Sequence, residues 1–160
     1  MDNIKKQEMK NWIPKAIAYL DKSLGKIPSE LNEIDWKATL SPNNNKLCRH
    51  IAAFSNLPGG GFLVFGVDDK TATLLGITKS EADNIVERMA SLCRDGVNPL
   101  VSIDHSIETF REQELLFIHI KESAVKPVHI NGQTIEESYI RSGGTTRKAS
   151  RQERSEEHTS

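Results

Sequence analysis

The sequence predicts an α+β domain, built as one mixed, largely antiparallel sheet with about three helices packed on it. Three observations predict this class. Apolar residues recur at three- and four-residue spacing in three segments, an apolar run follows three glycines, and two β-rich runs are joined by a short polar turn. The order helix, strand, helix, strand, helix and then hairpins indicates a single sheet with helices on it.

The composition is that of a soluble globular domain. The 160 residues are 37% hydrophobic and 27% charged, and no apolar run approaches the roughly 20 residues of a membrane span. The first residues lack the apolar stretch of a secretory signal, so we expect a cytoplasmic protein. Cys48 and Cys93 fall on the apolar sides of predicted helices and are expected to be reduced and buried. Scattered histidines and the lack of a Cys-x-x-Cys pair argue against structural zinc.

The last seven residues, 154–160, match the in-frame translation of a widely used sequencing adapter. We therefore expect them to be an assembly artefact, and the natural chain to continue past about Glu153. Without them the count of lysine plus arginine falls from 21 to 20, and that of aspartate plus glutamate from 22 to 20. Because the remaining domain is neutral, any nucleic-acid site must be a local patch.

The first helix is predicted between residues 6 and 24, and residues 1–28 are expected to form an N-terminal helix and arm. Pro14 fits the first turn of a helix that begins near Asn11 or Trp12, and Gly25 ends it. The apolar face consists of Met9, Trp12, Ile13, Ala16, Ile17 and Leu20.

A half-buried strand is predicted between residues 30 and 40, where apolar Ile34 and Trp36 alternate with charged residues. The charged positions are Glu33, Asp35 and Lys37. This charged face is the first candidate site. Strict alternation places Glu30 on the opposite face, so only a bulge or turn would bring it to Asp35.

A short helix and a central strand follow. Apolar residues from Leu47 onward predict a helix that stops before Pro58. Gly59, Gly60 and Gly61 predict a tight turn with positive φ. The apolar run 62–67, which Asp68 and Asp69 follow, is typical of a strand covered on both faces.

The second half of the chain predicts one more helix and several hairpin strands. Thr78 and Glu81 form a capping box at the start of a helix that runs to Gly96. The runs 100–110 and 115–120 predict a hairpin whose turn is 111–114. A last strand is predicted over residues 138–141, with a basic tail after it.

Five segments, in this order, resemble the Schlafen/AlbA-type domain over residues 29–150. They are Ile34–Lys37, Ile51–Asn56 with Gly59–Gly61, Phe65–Asp69, Lys126–Val128 and Tyr139–Thr146. In bacteria and archaea such domains resemble the N-terminal part of transcriptional regulators. The resemblance implies that a C-terminal domain followed residue 153.

The resemblance also implies a metal site. In animal Schlafen proteins the related fold cleaves structured RNA with carboxylates that hold a divalent metal. The matching positions here are Glu30, Asp35 and Asp68, which would hold Mg²⁺ or Mn²⁺, while Lys37 would steady negative charge on a phosphate. Glu33 is the substitute for Glu30. The same charges could instead form a solvated strand face, and Asp68 could equally be a turn former.

A basic segment near the end supplies the second candidate site. Arginine, lysine and threonine side chains of this kind suit phosphate oxygens. Its members are Arg141, Thr145, Thr146, Arg147 and Lys148, and Lys126 extends the patch. A flexible charged stretch would have the same composition.

Three functions remain open from the sequence. The leading hypothesis is a DNA- or RNA-binding domain of a transcriptional regulator, without membrane partners. The runner-up is a metal-dependent endoribonuclease that uses the acidic residues. The third is a protein-interaction module, such as a homodimer paired through a sheet edge. The three glycines argue against an ATP site, because no Gly-Lys-Ser/Thr follows and the glycines lead into a strand.

Overall fold

A computed structural model describes residues 9–25, 31–132 and 138–149 of the chain. Residues 1–8 of the predicted arm, Glu30, residues 150–153 and the adapter-like residues 154–160 lie outside these described residues. Within the described ranges the chain forms three helices, a mixed four-stranded sheet and two two-stranded sheets. The predicted α+β class is therefore confirmed.

The central sheet contains four strands: β1 (Ile34–Lys37), β2 (Gly61–Phe65), β4 (Ile103–Phe110) and β5 (Gln113–Ile120). Their order is β1-β2-β5-β4. Strand β1 runs parallel to β2, whereas β2 is antiparallel to β5 and β5 is antiparallel to β4. Strand β2 holds an inner position and is buried along its whole length, as its apolar run predicts.

Different helices cover the two faces of this sheet. Helix α1 (Ile13–Ser23) packs on one face, and helices α2 (Asn44–Asn56) and α3 (Lys79–Asp95) pack on the other. The core under α1 includes Ala16, Leu20, Ile34, Phe62, Val64 and Phe117. The core under α2 and α3 includes Phe54, Leu63, Phe65, Met89, Leu116 and Ile118. Because side chains alternate along a strand, β2, β4 and β5 each contribute to both cores, whereas β1 contributes Ile34 and Trp36 to the core under α1.

The predicted helix ends are confirmed at two places. Pro14 lies in the first turn of α1, where its missing N–H costs no helical hydrogen bond. At the start of α3, the Glu81 amide donates to Thr78 Oγ1 at 3.1 Å, and the Thr78 amide donates to Glu81 Oε1 at 3.0 Å. This reciprocal pair is the predicted capping box.

The glycines between α2 and β2 form the predicted tight turn. Gly59 and Gly60 have φ of 81° and 71°. A Cβ on Gly60 would lie 2.1 Å from the Ile120 carbonyl oxygen, and one on Gly61 would lie 2.0 Å from Phe54 Cδ1. The turn therefore requires glycine both for its backbone angles and for the close approach of β5 and α2.

Short strands complete the described fold: β3 (Val97–Asn98), β6 (His129–Ile130), β7 (Tyr139–Ser142) and β8 (Thr145–Lys148). Strand β3 pairs with β6, and β7 pairs with β8. The prediction of a basic tail after residue 141 was wrong for residues 145–148, because these residues form strand β8. Gly143 and Gly144, with φ of 59° and 76°, allow the tight turn that returns the chain onto β7.

The turn between β4 and β5 consists of Arg111 and Glu112 alone, so it is shorter than the predicted turn 111–114. Both residues adopt positive φ. Cys48 and Cys93 are unpaired and buried, as expected. Across the described ranges, no helix has the length and apolar character needed to span a membrane.

Candidate nucleic-acid interface

The alternation of β1 divides its side chains between the two faces of the sheet. Ile34 and Trp36 pack toward α1, where Trp36 Nε1 donates to Ser23 Oγ at 3.1 Å. Asp35 and Lys37 point to the α2 side and line a cavity there. The predicted charged face therefore exists, and it lies beside α2.

The cavity has a volume of about 270 Å³ and lies between the end of β1, the loop after it and α2. Its polar lining includes Asp35, Lys37, Lys46, His50 and Asp69. Its apolar lining includes Leu40, Leu47, Leu63 and Phe65. The ammonium of Lys37 lies 3.9 Å from Asp35 Oδ2 and 3.7 Å from Asp69 Oδ2, so one lysine stands between two carboxylates.

Asp68 is not among the residues that line this cavity. Its Oδ1 accepts hydrogen bonds from the Lys70 amide at 2.8 Å and the Thr71 amide at 3.0 Å. The amides of Thr71 and Lys70 also lower the pKa of Asp68, because they stabilise its charged form. Asp68 thus makes the hydrogen bonds of a turn former, whereas the carboxylate of its neighbour Asp69 lies near the ammonium of Lys37.

The predicted metal site stays a prediction, because one of its ligands, Glu30, is not among the described residues. Within residues 9–25, 31–132 and 138–149, no three His, Cys, Asp or Glu side chains are grouped so that they could hold a metal ion. Lys37 stands between Asp35 and Asp69, where a cation shared by these carboxylates would have to lie.

Arg141 is buried, with 6% of its surface exposed. Its Nε donates to the Asn32 carbonyl oxygen at 2.9 Å, and its Nη2 donates to the carbonyl oxygens of Ile34 and Gly144 at 3.2 and 3.1 Å. The guanidinium also lies over the Phe54 ring, 4.5 Å from its centre. Its hydrogen bonds are directed into the fold, so Arg141 fixes the β7–β8 hairpin against the segment that leads into β1.

Two carboxylates compensate for the burial of this guanidinium. Burial lowers the pKa of Arg141, and the negative charges of Asp35 and Glu33 oppose that shift. Glu33, the predicted substitute for Glu30, thus acts on Arg141 together with Asp35.

His50 connects α2 to strand β8. Its Nδ1 lies 2.8 Å from Thr146 Oγ1, which also accepts a hydrogen bond from Arg141 Nη1 at 3.2 Å. Burial lowers the pKa of His50 to about 4, and the negative charge of Asp35 opposes this shift. His50 is therefore neutral at physiological pH, and Thr146 is engaged inside the structure.

Four cations are exposed on α2 and β8, two elements that pack together: Lys46, Arg49, Arg147 and Lys148. The guanidinium of Arg49 lies over the Tyr139 ring, and Lys148 pairs with Tyr139 across the hairpin. Thr145 is exposed and donates to the Ser142 carbonyl oxygen at 3.0 Å. Lys126 lies apart from this group: its side chain is only 11% exposed and pairs with Glu122 at 2.7 Å.

The cavity and the exposed cations of α2 and β8 lie in a part of the chain that matches a known protein family. The family model described as Schlafen, AlbA_2 matches residues 30–150. The chain belongs to this family. The match includes the whole cavity lining and all four exposed cations of α2 and β8. A search of curated proteins found no significant relative.

Two solved structures have the same fold as this Schlafen AlbA_2 domain. One is the N-terminal domain of a RecG-related protein of Nitrosomonas europaea, named for an ATP-dependent DNA helicase; it is 22% identical, with a TM-score of 0.56 over 84% of this chain and 93% of that one. The other is the DIP2311 protein of Corynebacterium diphtheriae, 19% identical with a TM-score of 0.55. That match covers 88% of this chain but only 27% of the other, so the chain spans about a quarter of that protein.

Sequence reasoning missed four residues of the site: Lys46, Arg49, His50 and Asp69. The first three lie on the solvent side or one edge of α2, where their spacing carries no signal beyond an amphipathic helix. Lys46 and His50 are four residues apart and so share a helix face, which was the available hint. Asp69 was noted in the sequence only as a residue that follows the apolar run 62–67.

Proposed function

We propose that this Schlafen AlbA_2 domain binds nucleic acid through phosphate contacts from cations on α2 and β8. The observation that carries the proposal is the exposure of Lys46, Arg49, Arg147 and Lys148 on two packed elements. Exposed lysine and arginine side chains on rigid elements suit phosphate oxygens, whereas cations in loops must first be ordered. Arg141 and Thr146 support this surface from within.

Only some residues of the predicted basic site belong to this proposed phosphate-binding surface. Arg147 and Lys148 remain phosphate ligands, and Thr145 borders them at the hairpin turn. Arg141 and Thr146 become positioning residues, because their hydrogen bonds are made inside the fold. Lys126 is left out because it pairs with Glu122.

The wider biological role belongs to the same proposal. The helicase-related name of the Nitrosomonas europaea protein and the family membership are both consistent with a nucleic-acid role. We propose that the domain is the N-terminal part of a cytoplasmic transcriptional regulator of bacterial or archaeal type. A domain that follows it in the natural protein would then supply the regulatory activity.

The test measures binding of the full chain to labelled single- and double-stranded RNA and DNA at several salt concentrations. Four phosphate contacts predict that log K falls with log salt with a slope of about −3 to −4. Arg147→Ala with Lys148→Ala should weaken binding to every sequence and make the slope shallower by about 2. The charge-matched control is Lys79→Ala with Arg94→Ala, which removes two exposed cations of α3. Equal losses in both double variants would refute the proposed surface.

The same samples separate the other two hypotheses when Mn²⁺ is added. The endoribonuclease hypothesis predicts metal-dependent cleavage that Asp35→Ala abolishes. The interaction-module hypothesis predicts dimers that are insensitive to salt and do not retain RNA or DNA. Retention without cleavage supports the binding function proposed here.

A further inference from the structure

The cavity beside β1 and the exposed cations of α2 and β8 form one continuous surface. Lys46 belongs to both, because it lines the cavity and is itself exposed. His50 lines the cavity one helical turn further along and is bonded to Thr146, which shares a face of strand β8 with Lys148. A strand whose phosphates lie on these cations would therefore pass the mouth of the cavity.

We infer that this cavity receives one unpaired nucleobase of a single-stranded nucleic acid. The inference rests on the proposed function, since the phosphates on α2 and β8 would bring the base to the cavity. It adds that the preferred ligand is a single strand, because one of its bases can leave the stack of neighbouring bases and enter the cavity.

The size and walls of the cavity suit a base. Its volume of about 270 Å³ lies just below the range of roughly 300–1,000 Å³ found for pockets of drug-sized ligands, so it accommodates a base and not a longer segment. Leu40 and Leu47 supply apolar walls, and buried Leu63 and Phe65 form the floor. A flat, weakly polar ring gains from leaving water in such a site.

The polar groups of the cavity suit the edge of a base. A carboxylate only accepts hydrogen bonds, and an ammonium only donates them. Asp35 and Lys37 therefore offer one acceptor and one donor side by side on neighbouring positions of the same strand face. The Watson–Crick edge of every base carries a donor beside an acceptor, and proteins read unpaired bases on that edge. In a duplex the same edge is already paired, so a duplex cannot use the cavity.

Two substitutions test the cavity without removing any cation. Thr39 is exposed and lines the cavity, so Thr39→Phe fills the mouth from outside the core. Its control is Ser91→Phe, at an exposed position of α3 that does not line the cavity. Asp35→Asn replaces the charged acceptor by a weaker, neutral amide oxygen and adds a donor, and Asp83→Asn on α3 is its charge-matched control.

The measurement uses the full chain, a short single-stranded RNA with one 2-aminopurine, and a blunt duplex of the same length. Thr39→Phe should weaken single-strand binding by about tenfold, the size of one base contact, and leave duplex binding unchanged. Asp35→Asn should also weaken single-strand binding, although it removes a negative charge, which by electrostatics alone would strengthen binding. The 2-aminopurine emission should rise on binding to the wild type and not to Thr39→Phe.

The outcomes separate this inference from the function on which it rests. If both probes bind in a salt-sensitive manner but Thr39→Phe and Asp35→Asn leave single-strand affinity and emission unchanged, the base pocket is refuted and the phosphate surface stands. If neither probe binds the wild type, the proposed function fails as well. A tighter single-strand complex with Asp35→Asn also overturns the base pocket.

Discussion

The two faces of strand β1 differ in what covers them. On the α1 face, Trp36 and Ile34 are packed under a helix, and an aromatic group closes the neighbouring surface. That group consists of Trp12, Tyr19, Phe62 and His119, whose ring centres lie 5.0 to 6.0 Å apart. On the α2 face, Asp35 and Lys37 open onto a cavity. One strand of four residues therefore supplies both a sealed core and a polar site.

On the same side of the sheet, hydrogen bonds to Asp104 of β4 hold the segment that leads into α1. Lys10 Nζ donates to Asp104 Oδ1 at 2.6 Å, and Trp12 Nε1 donates to Asp104 Oδ2 at 2.9 Å. Burial alone would raise the pKa of Asp104, but these hydrogen bonds lower it to about 2. Helix α1 therefore stabilises the sheet, while the α2 face leaves polar groups of a rigid strand open to the proposed ligand.

The largest effect on stability is expected on the sealed face. Leu20 is fully buried under α1, and Leu20→Ala should lower the free energy of unfolding by about 3 kcal/mol through lost burial and a residual cavity. Lys22→Ala, on the exposed side of the same helix, should change it by no more than about 0.5 kcal/mol. Urea unfolding of the two variants provides the measurement. A loss below about 1 kcal/mol for Leu20→Ala would show that α1 is not part of the core.

A somewhat smaller loss is expected for Arg141. Arg141→Ala should cost about 2–3 kcal/mol, because one buried and two partly buried carbonyl oxygens lose a charged donor. Arg141→Lys should recover little, since an ammonium cannot replace the planar fork of a guanidinium. Unchanged stability, together with a shallower salt dependence of binding, would show instead that Arg141 contacts phosphate directly.

The polar face should also respond to pH through His50. Above its ordinary pKa of 6.5 this histidine is neutral in both states, so its protonation does not change stability there. Below 6.5 the unfolded chain takes up a proton that the folded chain refuses until about pH 4, so stability falls through that window. His50→Asn should lack this component. Unfolding curves of wild type and variant that run parallel between pH 7 and 4 would contradict the burial of His50.

The smallest effect is expected in the reactivity of the two cysteines, which tests how far the cavity reaches into the core. Burial raises the pKa of Cys93 to about 12 and also raises that of Cys48, which follows the cavity residue Leu47 on α2. Both thiols should stay unreactive toward a thiol reagent at pH 8 and react fully in urea. Rapid reaction of Cys48 in the folded chain would indicate that the cavity extends into the core.

Much of the fold could be predicted because its signals are local. The capping box of Thr78 and Glu81 and the positive φ of the glycines before β2 depend on neighbouring residues alone. The charged face of β1 followed from its alternation. Strand β8 was missed because its sequence is basic and polar, and only its pairing with β7 makes it a strand.

The site was less predictable because its contacts are distant in sequence. His50 and Thr146 are 96 positions apart, and Arg141 and Asn32 are 109 apart. Composition alone therefore could not show that Arg141 is buried or that His50 faces the hairpin. The choice between Asp68 and Asp69 depends on one turn, in which Asp68 binds the amides of Lys70 and Thr71.

The most direct test is an amide ¹H–¹⁵N NMR titration of the full chain with a short single-stranded RNA. We predict that shift changes concentrate at the end of β1, in the first half of α2 and along β8, and that α1 residues 13–23 stay unchanged. Shifts confined to α1 and the aromatic group beneath it would contradict the division between a sealed and a binding face.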